Sequence, residues 1–328
     1  MICYNKKKAW LVRYNDGSQR MIFDTVRPFG SAIPVFVDCG KCAACRANKA
    51  NEWALRVSHE MQYCDGIGCF LTLTYDNQHL PSKSGVPTLV KKDLQDFVKR
   101  LRRYLDYRGL PPIRAYFAAG EYGKRTLRPH YHILILGWCP SDLQYLHHTP
   151  AGSDIYISGT VGKLWTAGIH SVGKLEFRSA AYCARYTKKM VGVDDPRRAD
   201  PFNLSSRNIP LSTGKQGALG AQWVIDHLST SFNLPYLTCE DWKVPVPDYY
   251  LDLLKRYDEH KYNDLVLAKL QYLQSGNGDT VRAYGDGSSE PRPYNTLTGE
   301  HIKGFEIKRM MDNLDDLQKS KLSLLQRR

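Results

Sequence analysis

The sequence predicts an α+β fold, a central antiparallel sheet with flanking helices, followed by a largely helical C-terminal extension. Three observations carry this expectation. From residue 68 to 190 the elements run strand, helix, strand, strand, a short helical stretch, strand, helix, an order that suits an antiparallel sheet with its helices layered on one face. Two of the strands are joined only by KRTLRP, residues 124–129, which is short enough for a hairpin. The chain has 328 residues and is 42% hydrophobic, enough to close a core in one large domain or two modest ones.

The elements follow from local pattern. AACRANKANEWALRVSHEMQY (43–63) contains no Pro or Gly and sets Trp53, Val57 and Met61 one turn apart, which predicts an amphipathic helix. GCFLTLTYD (68–76) alternates Thr72 and Thr74 with Leu71, Leu73 and Tyr75, a strand pattern. In KKDLQDFVKRLRRYLDYRG, Leu94, Phe97, Val98, Leu101, Tyr104 and Leu105 keep the 3.6 period while Lys99, Arg100, Arg102 and Arg103 occupy the remainder; this is a basic helix. IRAYFAAGEYG (113–123) and HYHILILGW (130–138) are strands, helical turns are expected near 142–148 and 160–166, IHSVGKLEF (169–177) is a strand and RSAAYCARYTKKM (178–190) a helix. Trp138 and Trp165 are expected in the core.

Three segments result: residues 1–66 with a cysteine cluster and helix, a core over 67–195, and an extension over 196–328. In the last, 247–275 has a helical pattern, a linker falls near 276–293, and 305–328 is a charged terminal helix whose apolar stripe, Met310, Leu314, Leu317 and Leu324, is broken by Lys321.

The formal net charge of +13 favours an anionic partner, with nucleic acid ahead of a membrane surface. MICYNKKKAW lacks the apolar core and small-residue cleavage site of a secretory signal, and no run approaches a membrane span. A cytoplasmic protein is expected. Nine cysteines are an odd number, and in a reducing compartment thiols are free or metal-bound rather than bridged.

Chemistry concentrates in RPHYHILIL (128–136). On a strand with period two, His130 and His132 share one face and Tyr131 takes the other. A hairpin through KRTLRP would bring Glu121 beside them, giving a mixed N,N,O set with open positions, as in a catalytic metal site. The alternative is a pair of hydrogen-bonded sheet histidines. Tyr182 and Tyr186, four apart on a helix, share a face with Lys189 a further turn along and Arg185 beside them. Paired tyrosines are ordinarily core fillers, yet this segment carries Arg178, Arg185, Lys188 and Lys189 with no acidic residue, a composition suited to phosphates. Together the constellations point to a divalent metal that polarises a phosphodiester and a tyrosine oxygen that attacks it. Two tyrosines allow two successive strand transfers. No GxxxxGK[ST] phosphate loop is present, in keeping with an exchange of phosphodiesters that needs no nucleotide.

FLTLTYD, GEYGKRTLRPHYHILILG and AAYCARYTKK, in that order, resemble the three motifs of HUH endonucleases of the replication-initiator class. With CGKCAACR and NEWALRVSHE upstream, residues 37–190 are similar to the replication initiation proteins of microviruses, the gokushovirus-like branch in particular. The resemblance implies rolling-circle replication: origin-specific nicking of one strand, a 5′-phosphotyrosine link with a free 3′ hydroxyl, and later rejoining. It implies His130, His132 and Glu121 as ligands of Mg²⁺ or Mn²⁺, Tyr182 and Tyr186 as nucleophiles, and Lys189 or its neighbour Lys188 as the helper. Origin and single-stranded DNA are the implied partners, with Arg185, Lys188, Arg128, Arg125 and Lys124 beside the strand. A host helicase and the host bacterial cytoplasm are implied too. The rival readings are a non-catalytic nucleic-acid-binding protein and a metallohydrolase that uses water.

Cys39, Cys42 and Cys45 form CxxCxxC, three thiols able to share a structural zinc if Cys3, Cys64 or a histidine supplies a fourth ligand. The alternative is that they are small packing residues. Arg100, Arg102, Arg103 and Arg108 could track a DNA backbone, with Tyr104 or Tyr107 stacking on a base, or form an ordinary solvated face.

Overall fold

The computed structural model describes residues 3, 5–14, 19–23, 32–123, 125–150, 152–185, 196–234, 236–239 and 242–265. They fall into two compact units, divided after Asn48. The linker near 276–293 and the terminal helix over 305–328 lie outside the described residues.

The first unit holds a three-stranded antiparallel sheet that the pattern of the sequence did not announce. It comprises β1 (Lys7–Arg13), β2 (Gln19–Ile22) and β3 (Ala32–Val37), in the order β2-β1-β3. Its buried apolar cluster among the described residues is Trp10, Val12 and Ala32, with Ile22 against it. α1 (Ala43–Met61) starts in this unit and runs into the second.

The second unit is built on a seven-stranded antiparallel sheet. In chain order its elements are β4 (Gly68–Tyr75), the small hairpin β5 (Ser82–Lys83) and β6 (Val86–Pro87), α2 (Lys91–Tyr107), β7 (Ala115–Tyr122) and β8 (Pro129–Leu136). β9 (Leu143–His148), β10 (Asp154–Ser158), α3 (Gly159–Leu164), β11 (Gly168–Lys174) and α4 (Phe177–Arg185) follow. Next come β12 (Phe202–Ser205), β13 (Ile209–Pro210), β14 (Gln216–Gly217), α5 (Ala221–Asp226), β15 (Tyr236–Cys239), β16 (Trp242–Pro245) and α6 (Asp248–Tyr257). The strand order is β12-β7-β8-β4-β11-β10-β9.

Helices cover both faces of this sheet, a correction to the one-sided layer expected. Side chains alternate across β8, so Tyr131, Ile133 and Ile135 join the cluster under α2 and α3, while Leu134 and Leu136 join the cluster under α1 and α4. The basic helix shows why. α2 buries Leu94, Phe97, Val98, Leu101 and Leu105 in one stripe, against the face opposite to α4. β8 is central and buried from Tyr131 to Leu136, as its near-continuous apolar run requires.

Residues 143–148 form the edge strand β9 rather than a helical turn. All six of its residues are exposed, so no apolar period marks the strand, and pairing with β10 decides the conformation. The sheet also extends past residue 195, because β12 pairs with β7. The region beyond it combines α5 and α6 with the β13–β14 and β15–β16 pairs. Trp138 and Trp165 are buried. Among the described residues no helix is long and apolar enough to cross a membrane.

Candidate metal centre and nucleophile

The hairpin between β7 and β8 builds the centre. Antiparallel register places Glu121 directly opposite His130 and Ala119 opposite His132, so the carboxylate and both imidazoles project from one face of adjacent strands. His130 Nε2 lies 2.8 Å and His132 Nε2 3.0 Å from the same Glu121 Oε1. The ligand atoms of all three residues lie within 4.8 Å of one another. The turn that delivers β8 carries Leu127 at φ 51°, a left-handed conformation uncommon for a branched side chain.

Each imidazole is oriented from its far side. His130 Nδ1 donates to the Arg128 carbonyl at 3.1 Å, and His132 Nδ1 meets Thr72 Oγ1 at 3.0 Å. Thr72 sits opposite His132 in the β4–β8 register. With Nδ1 of His130 committed as donor, the Nε2 of a neutral ring holds a lone pair, and a lone pair facing a carboxylate oxygen at 2.8 Å calls for a cation between them. Two imidazole nitrogens and a carboxylate oxygen with open positions fit a divalent ion of the Mg²⁺ or Mn²⁺ kind. Burial lowers the pKa of His132, which keeps this ring a neutral ligand, although Glu121 pulls the other way. Burial opposes the charge on Glu121, but the hydrogen bonds from His130 and His132 outweigh it and hold the carboxyl below its usual range.

α4 packs over this face because its inward positions are small: Ala180, Ala181 and Ala184 are buried, and Cys183 Sγ reaches the His132 carbonyl at 3.6 Å. That close approach brings Tyr182 to the centre. Its ring lies 5.3 Å from the His132 ring, edge to face, and 6.1 Å from Phe70, while the residue stays 37% exposed. Phe70 in turn stacks on His132 at 5.3 Å.

The remaining expected residues are distributed unevenly. Arg185 ends α4. Arg125 is exposed in the β7–β8 turn. Arg128 is engaged in the fold, with Nη1 donating to the Tyr75 carbonyl at 2.8 Å and Nη2 to Asn77 Oδ1 at 2.5 Å. Lys124, Tyr186, Lys188 and Lys189 lie outside the described residues. Arg100 is likewise a structural group, since its Nε donates to the Leu164 carbonyl at the end of α3; Arg102, Arg103, Tyr107 and Arg108 are exposed. Cys3, Cys39, Cys42 and Cys45 also converge, with their sulfurs within 4.8 Å of one another; Cys64 is instead buried in the core beneath α1. Sequence reasoning passed over Thr72 and Phe70 as site residues. Their one signal was the alternation of FLTLTYD, which puts both on the same strand face.

Residues 68–191 match the family of replication-associated proteins described under the name ORF2. Replication-associated protein VP4 of Bdellovibrio phage phiMH2K is 35% identical over 232 residues, covering 68% of this chain and 69% of that protein. Replication-associated protein ORF2 of Spiroplasma virus 4 is 38% identical over 160 residues, 48% of this chain and half of that one. Replication-associated protein ORF4 of Chlamydia phage 1 is 29% identical over 256 residues, 74% of this chain and 60% of its own length. No solved structure matches the chain. The matched segment spans the sheet from β4 onward, both histidines, Glu121 and α4, and the chain belongs to the replication-associated proteins of phages.

Proposed function

We propose that this chain initiates phage DNA replication by cutting one strand at an origin and later rejoining it, acting in the cytoplasm of the bacterial host. The observation that carries the reading is the meeting of Glu121, His130 and His132 at one point, with the Tyr182 ring against His132. A divalent ion held by these three residues would polarise the scissile phosphate and stabilise the charge that builds on it.

The rest falls to the chain's own side chains. Phe70 and His132 contact the Tyr182 ring and restrict the direction in which its hydroxyl points, so the reacting atoms meet without a further orientational search. As the phenolic oxygen bonds to phosphorus, the bond from phosphorus to the 3′ oxygen breaks. The leaving oxygen gains a proton and becomes a 3′ hydroxyl. The phenolic proton passes to water, which reaches a side chain that is 37% exposed. One phosphodiester has replaced another, so a 3′ hydroxyl can attack the phosphotyrosine and reseal a strand. Tyr186 would serve the second transfer, with Arg185 and Lys188 or Lys189 offsetting phosphate charge, and Lys124 and Arg125 of the β7–β8 turn following the backbone.

The test is incubation with a single-stranded origin oligonucleotide and Mg²⁺ or Mn²⁺, followed by denaturing electrophoresis and mass spectrometry of any linked peptide. A covalent adduct on Tyr182 or Tyr186 that Tyr182→Phe with Tyr186→Phe abolishes supports the reading. Cleavage without an adduct would favour a water-using hydrolase, and binding without cleavage a non-catalytic protein. Tyr182→Phe alone should leave the fold within about 0.5 kcal/mol, because the ring contacts survive.

A further inference from the structure

We propose that Cys3, Cys39, Cys42 and Cys45 hold one structural zinc ion, and that this ion supplies most of the folding free energy of the N-terminal sheet. The inference is independent of the nicking reaction.

The sulfur geometry is that of a tetrahedral centre. Cys42 Sγ lies 3.5 Å from Cys45 Sγ and 3.9 Å from Cys3 Sγ, and Cys39 Sγ lies 3.9 Å from Cys45 Sγ. A tetrahedron with ion to sulfur bonds of about 2.3 Å has edges of about 3.8 Å. Disulfide bonds, at about 2.05 Å, do not account for four sulfurs that each lie beside the others. With four sulfur ligands and no open position, the centre suits structure rather than catalysis, and soft thiolates select zinc over the hard ions suited to the Glu121 centre.

Backbone donors converge on the sulfurs. The amides of Lys41 and Cys42 point at Cys39 Sγ, at 3.4 and 3.3 Å, the amide of Cys45 at Cys42 Sγ, at 3.5 Å, and the amide of Cys39 at Cys3 Sγ, at 3.3 Å. Gly40 at φ 69° turns the chain so that two successive amides face one sulfur. Amides aimed at sulfur stabilise thiolates, and four clustered thiolates need a cation to offset their repulsion. The first turn of α1, where Cys45 lies, adds the positive end of a helix dipole.

Topology and energetics then say what the ion does. In the β1–β3 register Lys7 pairs with Val37, so the chain entering from Cys3 and the chain leaving toward Cys39 emerge at the same end of the sheet. An ion there ties both to the start of α1. The sheet's described apolar cluster, Trp10, Val12 and Ala32 with Ile22, is too small to hold three strands alone, and units of this size are ordinarily stapled by metal or disulfides.

The experiment uses the full chain, purified without a metal-chelating column. Elemental analysis should find about one zinc per chain. His130→Ala with His132→Ala should keep it, and Cys39→Ser with Cys42→Ser should lose it. Should the cysteine variant fail to fold, wild-type protein still decides: titration with a mercurial should release the zinc as about four thiols react. Hydrogen exchange should show residues 7–37 losing protection when zinc is withdrawn, with 68–136 unchanged. Zinc-free folded protein whose four thiols react freely, iron or acid-labile sulfide in place of zinc, or zinc lost from the histidine variant and kept by the cysteine variant would each overturn the assignment. Unchanged protection over 7–37 would overturn the folding role.

Discussion

Replacing Thr72 with valine tests whether the strand next to β8 sets the metal affinity of the centre. The Thr72 hydroxyl lies 3.0 Å from His132 Nδ1, and the opposite ring nitrogen lies 3.0 Å from Glu121 Oε1. The ring is only 5% exposed, so water does not readily replace the hydroxyl. Valine keeps the β-branched shape that a strand favours and removes one neutral hydrogen bond, worth about 1 kcal/mol. Thr72 pairs with His132 across the strands, so most of that loss should fall on the aim and basicity of Nε2. A loss of about 1.4 kcal/mol is tenfold in binding, and removing outer partners of metal ligands costs about 10- to 100-fold in affinity or activity. The assay is single-turnover adduct formation on an oligonucleotide as Mn²⁺ is varied. Thr72→Val should raise the half-saturating Mn²⁺ about tenfold and leave the rate at saturating metal within about twofold; Thr72→Ser should restore the wild-type midpoint. An unchanged midpoint, or a slower saturating rate at the same midpoint, would refute the assignment of Thr72 as a positioning residue for His132.

Two further predictions concern the scaffold around α1. His59 is 3% exposed, stacks on Trp223 at 3.6 Å and shares a 2.9 Å hydrogen bond with the Tyr250 hydroxyl; burial, helped by His227, drives its pKa from 6.5 down to about 3. The unfolded chain therefore binds the extra proton first, so this contribution is complete above about pH 6.5 and is lost as pH falls toward 3, a loss on the order of 5 kcal/mol over the window. Urea midpoints measured against pH should show the decline flattened in His59→Gln, and an identical slope in the variant would contradict it. Gly220 sits at φ 79° with its amide donating to Glu60 Oε2 at 2.7 Å, and a Cβ there would run into the Tyr250 hydroxyl. Gly220→Ala should cost about 2–4 kcal/mol from backbone strain and overpacking and lower Tm by roughly 5–15 °C, whereas a Tm within about 1 °C of wild type would refute the predicted clash.

What could be read from the sequence follows the range of the interactions. α2 and β8 are legible because their burial is periodic along the chain itself: five buried residues at helical spacing in one, an almost unbroken buried run in the other. The imidazole pair and Glu121 are legible for a related reason, since a short turn between strands leaves antiparallel register as the natural arrangement and register then puts Glu121 across from His130. β9 and β12 carry no such signal; one has every residue exposed and the other has only four residues, and both exist because a neighbour offers a ladder. Thr72 is harder still, as its part depends on the register between β4 and β8, sixty positions apart in the chain. Cys3 shows the same limit. CxxCxxC fixes three sulfurs locally, but choosing Cys3 over Cys64 as the fourth requires that β1 and β3 pair so that a residue thirty-six positions upstream of Cys39 returns to it. The two clusters thus share one design: a local motif supplies most of the ligands, and strand pairing supplies the group that orients or completes them. In both, a substitution far away in the chain that shifts the register should damage the metal chemistry while leaving every residue of the motif in place.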